Sequence, residues 1–181
     1  MARIEPVDQP NIEQSALLAK SLHGPDGNPL NVFATLVRWP ELMRRINALG
    51  GFFLVASSLN AREREIGILR TAGFTQCSYE IAQHRWLGAE AGLSGEEIEA
   101  AIDSGREQHW NQGDTALLAF VDELLHSGTI RETTWNGCAT YFDDTRRAEL
   151  LALVGFYRML AGVLNGLAVD IDVSVPHGPV A

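Results

Sequence analysis

Positive charge is scarce in this sequence. Its 181 residues carry 14 Lys and Arg against 23 Asp and Glu, a net charge of −9. A nucleic-acid binder needs a basic face to meet phosphates, so that class is excluded. Cysteine is scarce too: Cys77 and Cys138 are the only two. They cannot make the disulfide framework of a small secreted domain, and the chain reads as intracellular. Near the N-terminus, Glu5 and Asp8 stand where a signal peptide would need an apolar run. The stretch Leu150 to Val169 comes nearest to a membrane span. Arg158 and Asn165 lie inside it, and glycines at 155, 162 and 166 weaken it, so a core helix is expected. The expectation is a cytoplasmic protein with neither nucleic acid nor membrane as partner. Charged residues make up only 20%, too few for a disordered chain, and the 46% hydrophobic share is enough for a core.

Strand signals are nearly missing. Only the tail, 169–175, alternates apolar and polar residues, which predicts one short extended segment. Everything else reads as helix or loop, so the fold class is all-α. Helices are expected over 11–22, 32–38, 40–48, 60–72, 75–92, 94–104, 114–127, 133–142 and from Asp143 or Asp144 onward. Asn60 with Glu63, and Ser94 with Glu97, form capping-box pairs at two of the starts. Pro40 suits a first helical position. The run from His23 to Asn31 is dense in Gly, Pro, Asn and Asp and predicts a loop. Gly50-Gly51 is expected to loosen the chain before the run Phe52 to Leu59. The domain division is an arm, short helix and loop over 1–31, a helical domain over 32–168 and a tail over 169–181. The segment from Asn60 faintly echoes that from Asp144, with Glu65 opposite Glu149. In the second copy, Ala161, Leu164 and Ala168 stand where the first has Cys77, Glu80 and His84.

Chemistry concentrates in two adjacent helices. In the first, Ile66, Ile68, Leu69 and Ala72 form an apolar stripe with Glu65 in its middle. A carboxylate there must be paired, protonated or working, because burying a bare charge is costly. The bland reading is an ion pair with Arg62 or Arg70. In the second helix, Cys77, Glu80 and His84 are spaced i, i+3, i+7 and share one face with Ile81, Leu87, Gly88 and Ala91. Singly, each has a structural explanation: a small core thiol, a hydrogen-bonded core imidazole, a carboxylate favoured by the helix start. Together, carboxylate and imidazole are the minimum set for moving a proton. As a metal site the set is poor, with no second His or Cys at a familiar zinc spacing. Tyr79, Ala82 and Trp86 line the opposite face, which suggests a central helix or one at a subunit contact.

The run REREIGILRTAGFTQCSYEIAQHRWLGAEAGLSGEEIEAAI resembles the core of the carboxymuconolactone decarboxylase family, which also contains the alkylhydroperoxidase D-like proteins. The strongest pieces are RERE-x-x-x-LR, YE-x-x-QH and AGLS-x-EEI, within a match over about residues 32–125. The resemblance implies an alkylhydroperoxidase D-like all-helical bundle assembled as trimers or hexamers. In the peroxidase branch a Cys-x-x-Cys pair is followed by a His, with a Glu upstream. Cys77 matches the first cysteine, His84 the histidine and Glu65 the glutamate, while Glu80 replaces the second cysteine. Disulfide cycling needs a second thiol to resolve the oxidised one. The resemblance therefore implies the decarboxylase-like branch, which works on small lactone acids without a cofactor.

The expected function is a cofactor-independent carboxy-lyase acting on a small carboxylated, lactone-type substrate. His84 would move the proton, Glu65 or Glu80 would orient it, Cys77 would complete the site and Arg70 would hold a substrate carboxylate. Alternatives are an isomerase or hydratase at the same site, a thiol-dependent peroxidase or reductase centred on Cys77, and a non-catalytic oligomeric binding protein.

Overall fold

The structure, a computed structural model, describes residues 2–106 and 108–172. Among these residues there are nine α-helices and no strand. They are α1 (Ile12–Leu18), α2 (Asn31–Leu36), α3 (Pro40–Val55), α4 (Ala61–Phe74), α5 (Ser78–Glu90), α6 (Gly95–Ile102), α7 (Gln112–Ser127), α8 (Glu132–Cys138) and α9 (Asp144–Leu167). A single isolated bridge joins His23 to Pro29 inside the predicted loop.

Helix α4 is the centre of the bundle. Every residue from Glu65 to Ala72 is buried, and α5, α6, α7 and α9 all pack against it. Its start is fixed by the Asn60–Glu63 capping box. Arg62 then ties α4 to α6 through Glu97 and to α7 through Asp114 at 2.9 Å. At its other end Gly73 is required. A Cβ there would stand 2.0 Å from the carbonyl oxygen of Ile102, at the end of α6.

The turn into α5 is tight. Cys77 N donates to Ala72 O at 3.0 Å, the closing bond of a Schellman-type end. Gln76 takes the left-handed conformation (φ 51°) where glycine is usual. This turn makes Cys77 the N-cap of α5, so the helix starts at Ser78 and not near Thr75.

Three further expectations are corrected. Gly50-Gly51 does not break α3, which runs on to Val55, because the Phe156 ring packs against Gly50 within the helix. Helix α7 is capped by Asn111, and Asp114 sits inside the first turn as the partner of Arg62. Helix α8 ends at Cys138, short of Phe142. Of the expected extended tail, 169–172 form no strand and 173–175 lie outside the described residues.

By length and composition α9 could cross a membrane. Here Leu150, Leu153, Val154 and Ala161 place one face of it in the common core. The arm joins the same core: Leu18 is buried, Val7 packs beside it, and Arg3 N bonds to Leu167 O at 2.9 Å.

Candidate active site

A cavity of about 240 Å³ opens between α3, α5, α9 and the loop after α1. That is near the lower end for small-molecule sites. Its walls are largely apolar: Leu22, Val32, Phe33, Ile46, Leu54, Leu87, Phe156 and Leu160. The polar or titratable side chains on it are Lys20, Ser21, Asn47, Tyr79, Glu80, Gln83, His84 and Tyr157.

Helical spacing puts Glu80 and His84 on the α5 face turned to this cavity. The His84 ring is held from two sides. Its Nδ1 lies 2.7 Å from Glu65 Oε2, and its ring packs nearly perpendicular to that of Tyr157, with 5.3 Å between centroids. Glu65 is 1% exposed and does not itself line the cavity. Its other oxygen accepts from Arg64 Nε at 3.1 Å. Glu65 is thus a fixed carboxylate behind the imidazole, which orients the ring and leaves Nε2 for the cavity. Its arginine partner is Arg64, and neither Arg62 nor Arg70.

Glu80 has no such support. It is 2% exposed, and neither carboxyl oxygen accepts from an N–H or O–H group among the described residues. Burial pushes its carboxyl up to about 8, and the neighbouring Cys77 thiol offsets this only in part. Cys77 is fully buried behind the cavity wall. Burial, and next the charge of Glu80, push its thiol up to about 11, so thiolate is scarce at neutral pH. Cys138 lines a separate cleft between α7 and α8, and both cysteines are free.

The structure therefore brings four of the five expected residues together, in two layers. His84 and Glu80 reach the cavity, and Glu65 and Cys77 stand behind them. Arg70 is not brought there. Five residues after Glu65 it points to the other side of α4, where its Nε lies 3.2 Å from Asp122 of α7. Burial lowers its pKa. The expected role of Arg70 at a substrate carboxylate has no support in this placement.

Several cavity residues escaped the sequence reading. Gln83 stands beside His84 within the quoted YE-x-x-QH run, yet was not singled out. Tyr157 was hidden in an apolar run. Lys20 lies on the first loop, and only tertiary packing reveals it. At one end of the cavity Asp172 accepts from Tyr79 Oη (2.5 Å), Gln83 Nε2 (2.7 Å) and the Asn31 backbone N–H (2.8 Å). Burial, and next the hydrogen bond to Asp172, push the Tyr79 phenol up. No group of three or more His, Cys, Asp or Glu among the described residues is arranged to hold a metal ion.

The comparisons with known proteins agree with this fold. Residues 40–123, just under half of the chain, match the carboxymuconolactone decarboxylase family. The span runs from the start of α3 into α7 and contains Glu65, Cys77, Glu80 and His84.

A peroxidase-related protein from Silicibacter superposes with a TM-score of 0.77 at 18% identity, covering 84% of this chain and 81% of its own. An alkylhydroperoxidase AhpD core protein from Ralstonia eutropha gives 0.75 at 19%, covering 81% and 79%. The debrominase Bmp8 gives 0.76 at 12%, covering 94% and 92%. At these identities the likeness is one of fold. Comparison with curated proteins returned no match.

Proposed function

We propose that this protein is a cofactor-independent, cytoplasmic enzyme that transfers a proton to or from a small carboxylated ring compound, with loss of carbon dioxide as the favoured outcome. The observation that carries this reading is the buried His84–Glu65 pair, 2.7 Å apart, at the wall of an apolar cavity. A carboxylate-backed imidazole is suited to shuttling a proton, and dry walls favour loss of carbon dioxide from a desolvated carboxylate. Lys20 at the rim is the cationic side chain lining the cavity, and it takes over the carboxylate-holding role expected of Arg70. A variant of Bmp8 solved with 2,3,4-tribromopyrrole shows that a relative by fold holds a small planar ring.

The thiol-dependent alternative meets two obstacles: Cys77 lies behind the cavity wall, and Cys138 lines a different cleft.

The test is a panel of small lactone acids and unsaturated keto acids incubated with the protein in deuterium oxide. The reading expects carbon dioxide release with one deuterium placed on the product carbon that lost it. Peroxide consumption coupled to an external thiol, without carbon dioxide release from any acid, contradicts it.

A further inference from the structure

Glu80 is left over once Glu65 has taken the imidazole. Its carboxyl lines the cavity, is 2% exposed, and accepts from no N–H or O–H group among the described residues, with only the weakly donating Cys77 thiol acting on it. Native proteins rarely leave a buried polar group unsatisfied, because the desolvation is uncompensated. A bound molecule is the natural partner, and the surroundings decide its chemistry. Arg64 is engaged by Glu65, Arg70 lies against Asp122, and Lys20 stands at the exposed rim. With no arginine or lysine beside it, burial pushes the Glu80 carboxyl up to about 8, so at pH 7 it has an O–H to donate.

We propose that Glu80 is the hydrogen-bonding acid of the site, donating to a carbonyl oxygen on the bound molecule, and that the ligand is a compound whose carbonyl is conjugated to the carbon served by His84. This rests on the proton-transfer reading. As the bond to the departing carboxylate breaks, its electron pair moves through the conjugated system onto the carbonyl oxygen, and carbon dioxide leaves. That oxygen takes the Glu80 proton and becomes an enol. Protonated His84 then delivers its Nε2 proton to the carbon, and the enol returns its proton to Glu80. One proton from solvent restores His84, so the net reaction consumes one proton and releases one carbon dioxide. A carboxylic acid kept neutral by an apolar pocket is well suited to stabilising such an oxygen.

The test is binding, not turnover, with three probes that share a ring: cyclohexenone, cyclohexene and cyclohexylamine. Each is titrated into the whole protein and followed by amide chemical shifts. One hydrogen bond is worth about 3- to 10-fold in affinity, so Glu80→Leu should weaken cyclohexenone by that factor. Cyclohexene should bind the same variant at least as well as wild type. The titratable groups around Glu80 are Cys77, His84 and Tyr157, and burial pushes the first and last upward. Wild-type affinity for cyclohexenone should fall between about pH 6 and about pH 9 as Glu80 ionises. In Glu80→Gln, which keeps an N–H donor, it should stay flat, so this variant decides the matter if Glu80→Leu does not fold. Equal cyclohexenone affinity in wild type and Glu80→Leu, or tighter wild-type binding of the cyclohexylammonium ion than of cyclohexenone at about pH 7, would overturn the proposal. Neither result touches the His84–Glu65 reading, which fails only on turnover.

Discussion

Glu65 and Glu80 are both almost unexposed, and their neighbours give them different work. Glu65 accepts one hydrogen bond on each oxygen, from Arg64 and His84, and so serves as a positioning carboxylate. Glu80 accepts none from an N–H or O–H, and its carboxyl stays neutral up to about 8. That difference has a consequence for stability. In the unfolded chain Glu80 ionises near its ordinary 4.5, whereas in the folded protein it holds its proton until about 8. Unfolding therefore releases a proton between those values, and the Glu80 contribution to stability falls as pH rises across that window. The limiting slope is about 1.4 kcal/mol per pH unit. Glu80→Gln removes this term. Thermal melts at about pH 5 and about pH 8 should show the variant gaining on wild type as pH rises. A constant difference between the two proteins would mean that Glu80 is not held neutral. The i, i+3, i+7 spacing in the sequence shows that Cys77, Glu80 and His84 share a face. It cannot show which carboxylate reaches the imidazole, because that depends on how α4 crosses α5.

Helix α4 carries more of the architecture than any other element, and its start was legible for local reasons. Capping boxes at Asn60 and Ser94 announce two helix starts because the cap and its partner are three residues apart in sequence. The end of α4 depends on something the sequence shows only dimly. Gly73 lies where the backbone of Ile102 crosses it, and an added methyl group would meet a carbonyl oxygen at 2.0 Å. Backbone cannot step aside as a side-chain tip can, so Gly73→Ala should destabilise the protein by about 3 kcal/mol, the upper part of the overpacking range. Urea unfolding reads this directly, and a loss below about 1 kcal/mol would mean that α6 moves freely against α4. The glycines of α3 mislead in the opposite sense. Gly50-Gly51 looks like a break, yet a neighbouring aromatic ring packs against Gly50 and the helix continues. Arg70 misleads because charge alone suggested a role, whereas its angular position on α4, opposite Glu65, assigns it to α7.

At the scale of the whole molecule, the segment that matches the family model supplies Glu65, Glu80 and His84, and the flanking segments help shape the cavity they adjoin. Lys20 and Leu22 come from the loop after α1, Tyr157 and Leu160 from α9, and Asp172 from beyond it, all outside 40–123. No local sequence pattern joins these positions, so this part of the cavity was invisible before folding. The outer surface carries Leu42, Leu49 and Val55 of α3 and Met159 of α9 exposed, with Phe74 at the end of α4. Apolar side chains of this size on several helices fit the trimer or hexamer that the family resemblance implies. Tyr79, once a candidate for that contact, is instead buried against Asp172. Light scattering at micromolar concentration should give a mass of three or six chains, and a monomer would leave this apolar surface without an explanation. The central claim is that the His84–Glu65 pair does the chemistry and Cys77 does not. It is tested most directly by measuring His84→Gln beside Cys77→Ser on the same turned-over substrate. General acid–base groups contribute about 100- to 10,000-fold, so His84→Gln should lose at least 100-fold in kcat/KM while Cys77→Ser loses less than about 10-fold. The reverse ranking, with Cys77→Ser nearly inactive and His84→Gln only modestly impaired, would contradict the account and restore the thiol as the reacting group.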